Sequence, residues 1–258
     1  MAPLTPTPDP DPGVALLEDL PRIGADEPLM FRCGPDVPCF NVCCADLTLA
    51  MTPYDVLRLR RALGIDSRKF LNDHAEVASR SAAGFPSVWL RMLDEPEKRC
   101  PFVTPAGCGV YGDRPAPCRA YPVARVAEIT DAGEIEERFY LVREAHCEGF
   151  GLGEVGTVLE WVSAQGLDVY NEHSDRWLRV VHRWGRALNR TAWERTLSWL
   201  YQVDLLRAEF VRHTPGLLLE KSGPERERIL SDDLACLEFA YEWAEWERGR
   251  NGPGERSG

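Results

Sequence analysis

Cysteine is the residue type here whose number and spacing could do chemistry. The 258-residue chain holds nine, and eight of them lie between Cys33 and Cys147. They fall into two runs. The first is Cys33-x5-Cys39-x3-Cys43-Cys44; the second is Cys100-x7-Cys108-x9-Cys118, with Cys147 further on. Zinc and iron–sulfur centres commonly take four thiolates each, so four plus four suggests metal. Neither run has the paired C-x2-C spacing of a zinc ribbon. Spacing alone therefore selects neither the metal nor the partition of ligands. The vicinal pair adds a constraint, because successive side chains point to opposite faces of a strand and diverge by about 100° in a helix. Either Cys43 and Cys44 serve two neighbouring metals, or one ligates while the other packs or reacts.

Four thiolates on one divalent zinc, or on an oxidised four-iron cluster, leave a net negative charge that needs cations or N–H donors close by. Arg32, Arg99 and Arg119 each adjoin a cysteine in sequence. His146 precedes Cys147, whereas His74, His173, His182 and His213 read as ordinary helix residues. Cys236 lies beside an apolar helical stripe and reads as a small core residue. No dinucleotide fingerprint, Walker loop or nucleophile elbow is present, so no catalytic residue and no small-molecule cofactor site can be named.

Composition narrows the classes. Hydrophobic residues make up 44% of the chain, enough for a sizeable core. The net charge of −11 disfavours general nucleic-acid binding, which relies on counterion release. No apolar run is long enough for a membrane span. The opening MAPLTPTPDPDPG has neither the basic nor the apolar region of a secretory signal, so a cytoplasmic location with reduced thiols is expected. A disulfide-stabilised protein without metal is the alternative if the compartment is oxidising.

The elements that must position the cysteines follow from local signals. Residues 1–28, with seven prolines, read as a disordered arm with an irregular lead-in. Residues 29–150 read as a loop-rich cysteine-cluster domain with short helices and a β-hairpin. Within it, Thr52-Pro53 opens a helix closed by Gly64, and Asp66 caps a second carrying Phe70, His74 and Val77. Val88, Leu90 and Met92 alternate as in a strand, and residues 121–129 and 134–143 flank a glycine turn as in a hairpin. Five prolines keep 100–122 in loops. The glycine-rich stretch 149–153 reads as a linker. Residues 151–249 read as a small helical bundle, with helices at 155–164, around Trp177–Trp184, around Trp193–Leu200, at 205–210 and at 225–247. Residues 250–258 read as a frayed tail. The fold class expected is α+β.

Phe31-x-Cys33, the vicinal pair and Leu47-Thr48, followed by the block CPFVTPAGCGVYGDRPAPCRAYP at 100–122, together resemble the YkgJ-type cysteine cluster proteins. The resemblance spans about residues 29–150. Their CxxCxxCC domain is taken to chelate zinc or iron, so it implies a zinc ion or an iron–sulfur cluster as cofactor. The ligands it implies are Cys33, Cys39, Cys43, Cys44, Cys100, Cys108, Cys118 and Cys147. The spacers before the vicinal pair are five and three residues here, where the family has two. Tyr111, Arg114, Arg119 and Tyr121 match motif positions without an assigned role. A flagellin lysine methylase carries a similar cluster, so an iron–sulfur methyltransferase or redox enzyme is the alternative function. The helical half could offer a surface to a protein partner; neither membrane nor nucleic acid is expected as one.

Overall fold

In the computed structural model, residues 20–78, 86–184 and 190–250 are described. Most of the N-terminal arm, to residue 19, and the tail from 251 lie outside these residues, as does the side chain of Trp193.

The cysteine half begins with two short strands, β1 (Arg22–Ile23) and β2 (Pro28–Phe31). After a long loop and β3 (Ala50–Met51), helix α1 spans Pro53–Leu63. It starts where a capping box forms: Thr52 N–H donates to Asp55 Oδ2 (2.8 Å) and Asp55 N–H donates to Thr52 Oγ1 (3.2 Å). It stops at Gly64, whose φ of 65° is left-handed. Helix α2 (Ser67–His74) is capped by Asp66, which accepts from Lys69 N–H at 2.7 Å. Val77 does not continue that helix. Residues Ala75–Ala78 form strand β4, antiparallel to β5 (Ser87–Leu90), which also pairs with β3. Ladder bonds to β5 replace the helical bonds that Ala75 and Val77 would have made.

Beyond the miniature hairpin of β6 (Val103–Thr104) and β7 (Gly107–Cys108) comes the short helix α3 (Ala116–Ala120). The expected hairpin follows as β8 (Val123–Ile129) and β9 (Ile135–Leu141), with β1 on its outer edge in the order β1-β9-β8. Residues 149–153 are not a linker. They lie at and within strand β10 (Phe150–Thr157), which pairs with β2 through a bulge, Phe150 opposite Phe31 and Val155 opposite Met30. Phe150, packed edge-on against Phe31, supplies apolar contact that the glycines around it lack.

The second half is helical. Helix α4 (Val158–Ala164) starts three residues later than the apolar pattern suggests, because Thr157 and Glu160 form a second capping box. Next come α5 (Leu167–Trp184), α6 (Arg190–Tyr201), α7 (Val203–Arg212) and α8 (Gly216–Leu219). The expected single last helix is two, α9 (Gly223–Ser231) and α10 (Asp233–Arg250). Asp232 leaves helical geometry and caps the second, accepting from Ala235 N–H at 2.8 Å. The fold is mixed α+β. Among the described residues no helix is long and apolar enough to cross a membrane.

A continuous buried cluster holds the cysteine half to the bundle. It includes Phe31, Leu57, Leu59, Phe70 and Val88 on one side, and Leu200, Phe210, Leu218, Leu237 and Phe239 on the other. Helix α1 packs on α5, α6 and α10. Polar links cross the same boundary: Tyr201 Oη donates to Met51 O at 3.1 Å, and Arg60 pairs with Asp233 where both are nearly enclosed. Cys236 is fully buried in α10 with its sulfur 3.9 Å from Val203 O, as a core residue would be.

Candidate metal centre

Three loops carry the eight cysteines, and each is fixed by its own backbone. Residues 32–46 form successive tight turns: Val37 N–H donates to Gly34 O (3.0 Å), Phe40 N–H to Val37 O (2.9 Å) and Cys44 N–H to Asn41 O (3.1 Å). Asn41 adopts φ 70°, which asparagine tolerates better than most residues. Its side chain donates to Thr104 O at 3.0 Å and ties this loop to the second. Cys100 N–H donates to Cys44 O at 2.8 Å, a second tie.

The second loop turns at Cys100-Pro101-Phe102-Val103, where Val103 N–H donates to Cys100 O at 3.2 Å. Burial raises the Cys100 thiol, and the N–H groups of Phe102 and Val103 offset part of that rise. The β6–β7 hairpin sets Cys108 opposite Val103 and so returns it toward Cys100. Gly107, at φ 119°, lets the Phe40 ring approach to 3.1 Å of where a Cβ would stand. Cys118 rides on α3. The start of that helix is held by buried Asp55, whose Oδ1 accepts from Ala116 N–H at 2.8 Å.

The third loop brings Cys147 to the first. Arg32 N–H donates to Gly149 O at 3.1 Å, and Glu148 N–H donates to the Cys39 sulfur at 3.2 Å. Gly149 allows this contact: a Cβ there would lie 2.6 Å from Arg32 O and 2.7 Å from the Phe31 ring.

The spatial groups differ from the sequence runs. Cys33, Cys39, Cys43 and Cys147 line one small cleft together with Tyr121 and His146. Burial raises the Cys33 thiol, and the charges of Cys43, Cys39 and Cys147 raise it further. Cys44 instead faces Cys100, Cys118 and Cys108. Burial, then Cys100 and Cys108, push the Cys118 thiol up to about 12. Cys44 and Cys147 have thus exchanged groups relative to the chain order. The vicinal pair sits at the seam, and a hydrogen bond between its thiols holds Cys43 well above its ordinary range and Cys44 below. No cysteine is in a disulfide. Among the described residues no group of three or more His, Cys, Asp or Glu side chains is arranged to hold a metal ion. The chemistry of the donor set fits a thiophilic metal nonetheless, because thiols crowded enough to suppress one another's ionisation release their protons to a bound cation. The N–H donors to Cys39 and Cys100 would remain to support the bound thiolates.

Residues 32–148 match a family model, CxxCxxCC, described as a putative zinc- or iron-chelating domain. The match covers a little under half of the chain. No curated protein and no solved structure matches the chain.

Within the matched residues, sequence adjacency misplaces the counter-charge. Arg32 is engaged bidentately by Asp36 and Arg99 by Glu95. Arg119 donates to the carbonyls of Arg114, Gln165 and Gly112, which locks the segment before α3. The cation that favours ionisation of thiols in both groups is Arg114, which acts on Cys33 and Cys43 and on Cys118. Its guanidinium stacks over Tyr111 at 3.8 Å and donates to Gln165 Oε1 at 3.3 Å. Asp55 and Gly149 had no signal as site residues in the sequence. Asp55 reads only as the third residue of a helix, and Gly149 only as part of a glycine-rich run.

Proposed function

We propose that the protein binds metal at two thiolate centres, one held by Cys33, Cys39, Cys43 and Cys147 and the other by Cys44, Cys100, Cys108 and Cys118. The observation that carries this reading is the division of eight cysteines into two groups of four across the vicinal pair. The match of 32–148 to the model of a putative zinc- or iron-chelating domain supports it. The metal is zinc or an iron–sulfur cluster. Zinc would supply folding energy to loops with little regular structure, and an iron–sulfur cluster would add one-electron chemistry. The chain's own part is to hold the thiolates with backbone N–H donors, to offset their charge with Arg114, and to shield the second group against the core. The setting proposed is the cytoplasm, where thiols stay reduced.

The test is metal analysis of full-length protein purified without oxygen, with acid-labile sulfide and an absorbance spectrum from the same sample. Two zinc ions per chain, or iron with matching sulfide, support the reading. Metal-free folded protein contradicts it.

A further inference from the structure

The two thiol groups differ in how the fold encloses them. Cys33 is the exposed cysteine of the eight, and its group opens onto a cleft. That group is assembled from two loops joined by the bond from Arg32 N–H to Gly149 O and the bond from Glu148 N–H to the Cys39 sulfur. The other group is built into the scaffold. Cys118 is on a helix whose first N–H is held by fully buried Asp55, and Cys100, Cys108 and Cys118 all pack against the core, whereas of the first group only Cys147 does. A metal leaves a thiolate site by stepwise ligand exchange, which needs one sulfur that solvent or an incoming donor can reach. Cys33 meets that requirement, and no member of the second group is equally exposed.

We infer that the two centres have different jobs: the Cys44/Cys100/Cys108/Cys118 centre is structural, and the Cys33/Cys39/Cys43/Cys147 centre is exchangeable. The inference rests on the two-centre reading proposed above. Exchange begins at Cys33. An incoming donor forms its bond to the metal as the Cys33 bond breaks, and the released thiolate takes up a proton from water. The oxidation state of the metal does not change. The class of partner implied is a soluble chelator or a thiol-bearing acceptor small enough to enter beside His146.

The experiment challenges full-length, metal-loaded protein with EDTA, follows metal release, and quenches samples with iodoacetamide for mass mapping of each cysteine. The expected result is two phases, the first at least about tenfold faster, the lower end of what supporting contacts are worth to a metal site. The first phase exposes Cys33, Cys39, Cys43 and Cys147 to alkylation while helical dichroism is retained. The second exposes the other four as the fold is lost. Cys33→Ser should still fold and should lose the fast phase selectively. Release in a single phase, or a fast phase that labels Cys44 instead of Cys43, overturns the inference while leaving metal binding intact. Protein that binds fewer than two metal centres overturns the two-centre reading itself.

Discussion

Asp55 and Ala116 are 61 residues apart, yet the Asp55 carboxylate accepts the Ala116 N–H at 2.8 Å inside the core. Its other oxygen caps α1 through Thr52. One buried side chain therefore sets both the start of α1 and the start of the helix that carries Cys118. Asp55→Ala should destabilise the protein by about 2–4 kcal/mol, combining a lost cap with a buried N–H left unpaired. Urea denaturation of metal-loaded protein checks it. A loss below about 0.5 kcal/mol, the range of ordinary surface changes, would mean the carboxylate is not holding the two helices.

Gly149 makes a sharper case, since its effect should be confined to one group. A methyl at this position would collide with the Arg32 carbonyl and the Phe31 ring. Gly149→Ala should part the 31–32 and 149–150 segments and weaken metal binding at Cys33, Cys39, Cys43 and Cys147. The other group should keep its metal. Gly216→Ala, where a Cβ meets nothing within 4 Å, is the control and should bind as wild type. Competition titration with a chromophoric chelator separates the outcomes.

Arg114 should matter to both centres, and Arg99 to neither. Arg114→Met removes the cation that acts on Cys33, Cys43 and Cys118. Affinity at each centre should fall by about tenfold, the lower end for a supporting residue. Arg99→Gln breaks only an exposed pair with Glu95 and should leave both affinities unchanged. Equal effects from the two variants would return the role to sequence neighbours.

His173 gives a pH dependence away from the thiols. It is buried and stacked on Tyr54 at 4.1 Å. Burial, helped by Arg176, lowers its pKa to about 4. The unfolded chain binds the proton near pH 6.5, so stability is full above that value and falls as the pH drops toward 4. The loss should reach at most about 3 kcal/mol. His173→Phe keeps an aromatic ring on Tyr54 and should flatten this part of the profile. Metal loss in acid affects both chains alike, so the difference between their denaturation curves isolates the imidazole.

Much of the scaffold was legible because its signals are local. Thr52-Pro53 to Gly64 marks α1 at both ends, and the glycine turn marks the β8–β9 hairpin. The cysteines and the 100–122 block carry the family resemblance in sequence alone. What stayed hidden depends on contacts far apart in sequence. Strand β10 looks like a linker because its partner, β2, is about 120 residues earlier and nothing in a glycine run reports it. The break at Asp232 hides inside a sustained apolar stripe, where a cap outweighs periodicity. The exchange of Cys44 and Cys147 between groups follows from the Arg32–Gly149 and Cys44–Cys100 main-chain bonds, which have no sequence signature. Adjacency was a poor guide to charge for the same reason: the arginines beside cysteines are engaged by carboxylates or carbonyls, and the cation that acts on thiols of both groups is Arg114, four residues from Cys118.

The division of the vicinal pair is the central claim, and single substitutions at Cys43 and Cys44 test it most directly. Each variant would be purified without oxygen, and its metal and labile sulfide counted per chain beside wild type. Wild type should carry two centres. Cys43→Ser should keep the centre that protects Cys100, Cys108 and Cys118 from alkylation, and Cys44→Ser should keep the one that protects Cys33, Cys39 and Cys147. If both variants lose protection at the same cysteines, the pair serves one centre and the two-group reading is wrong.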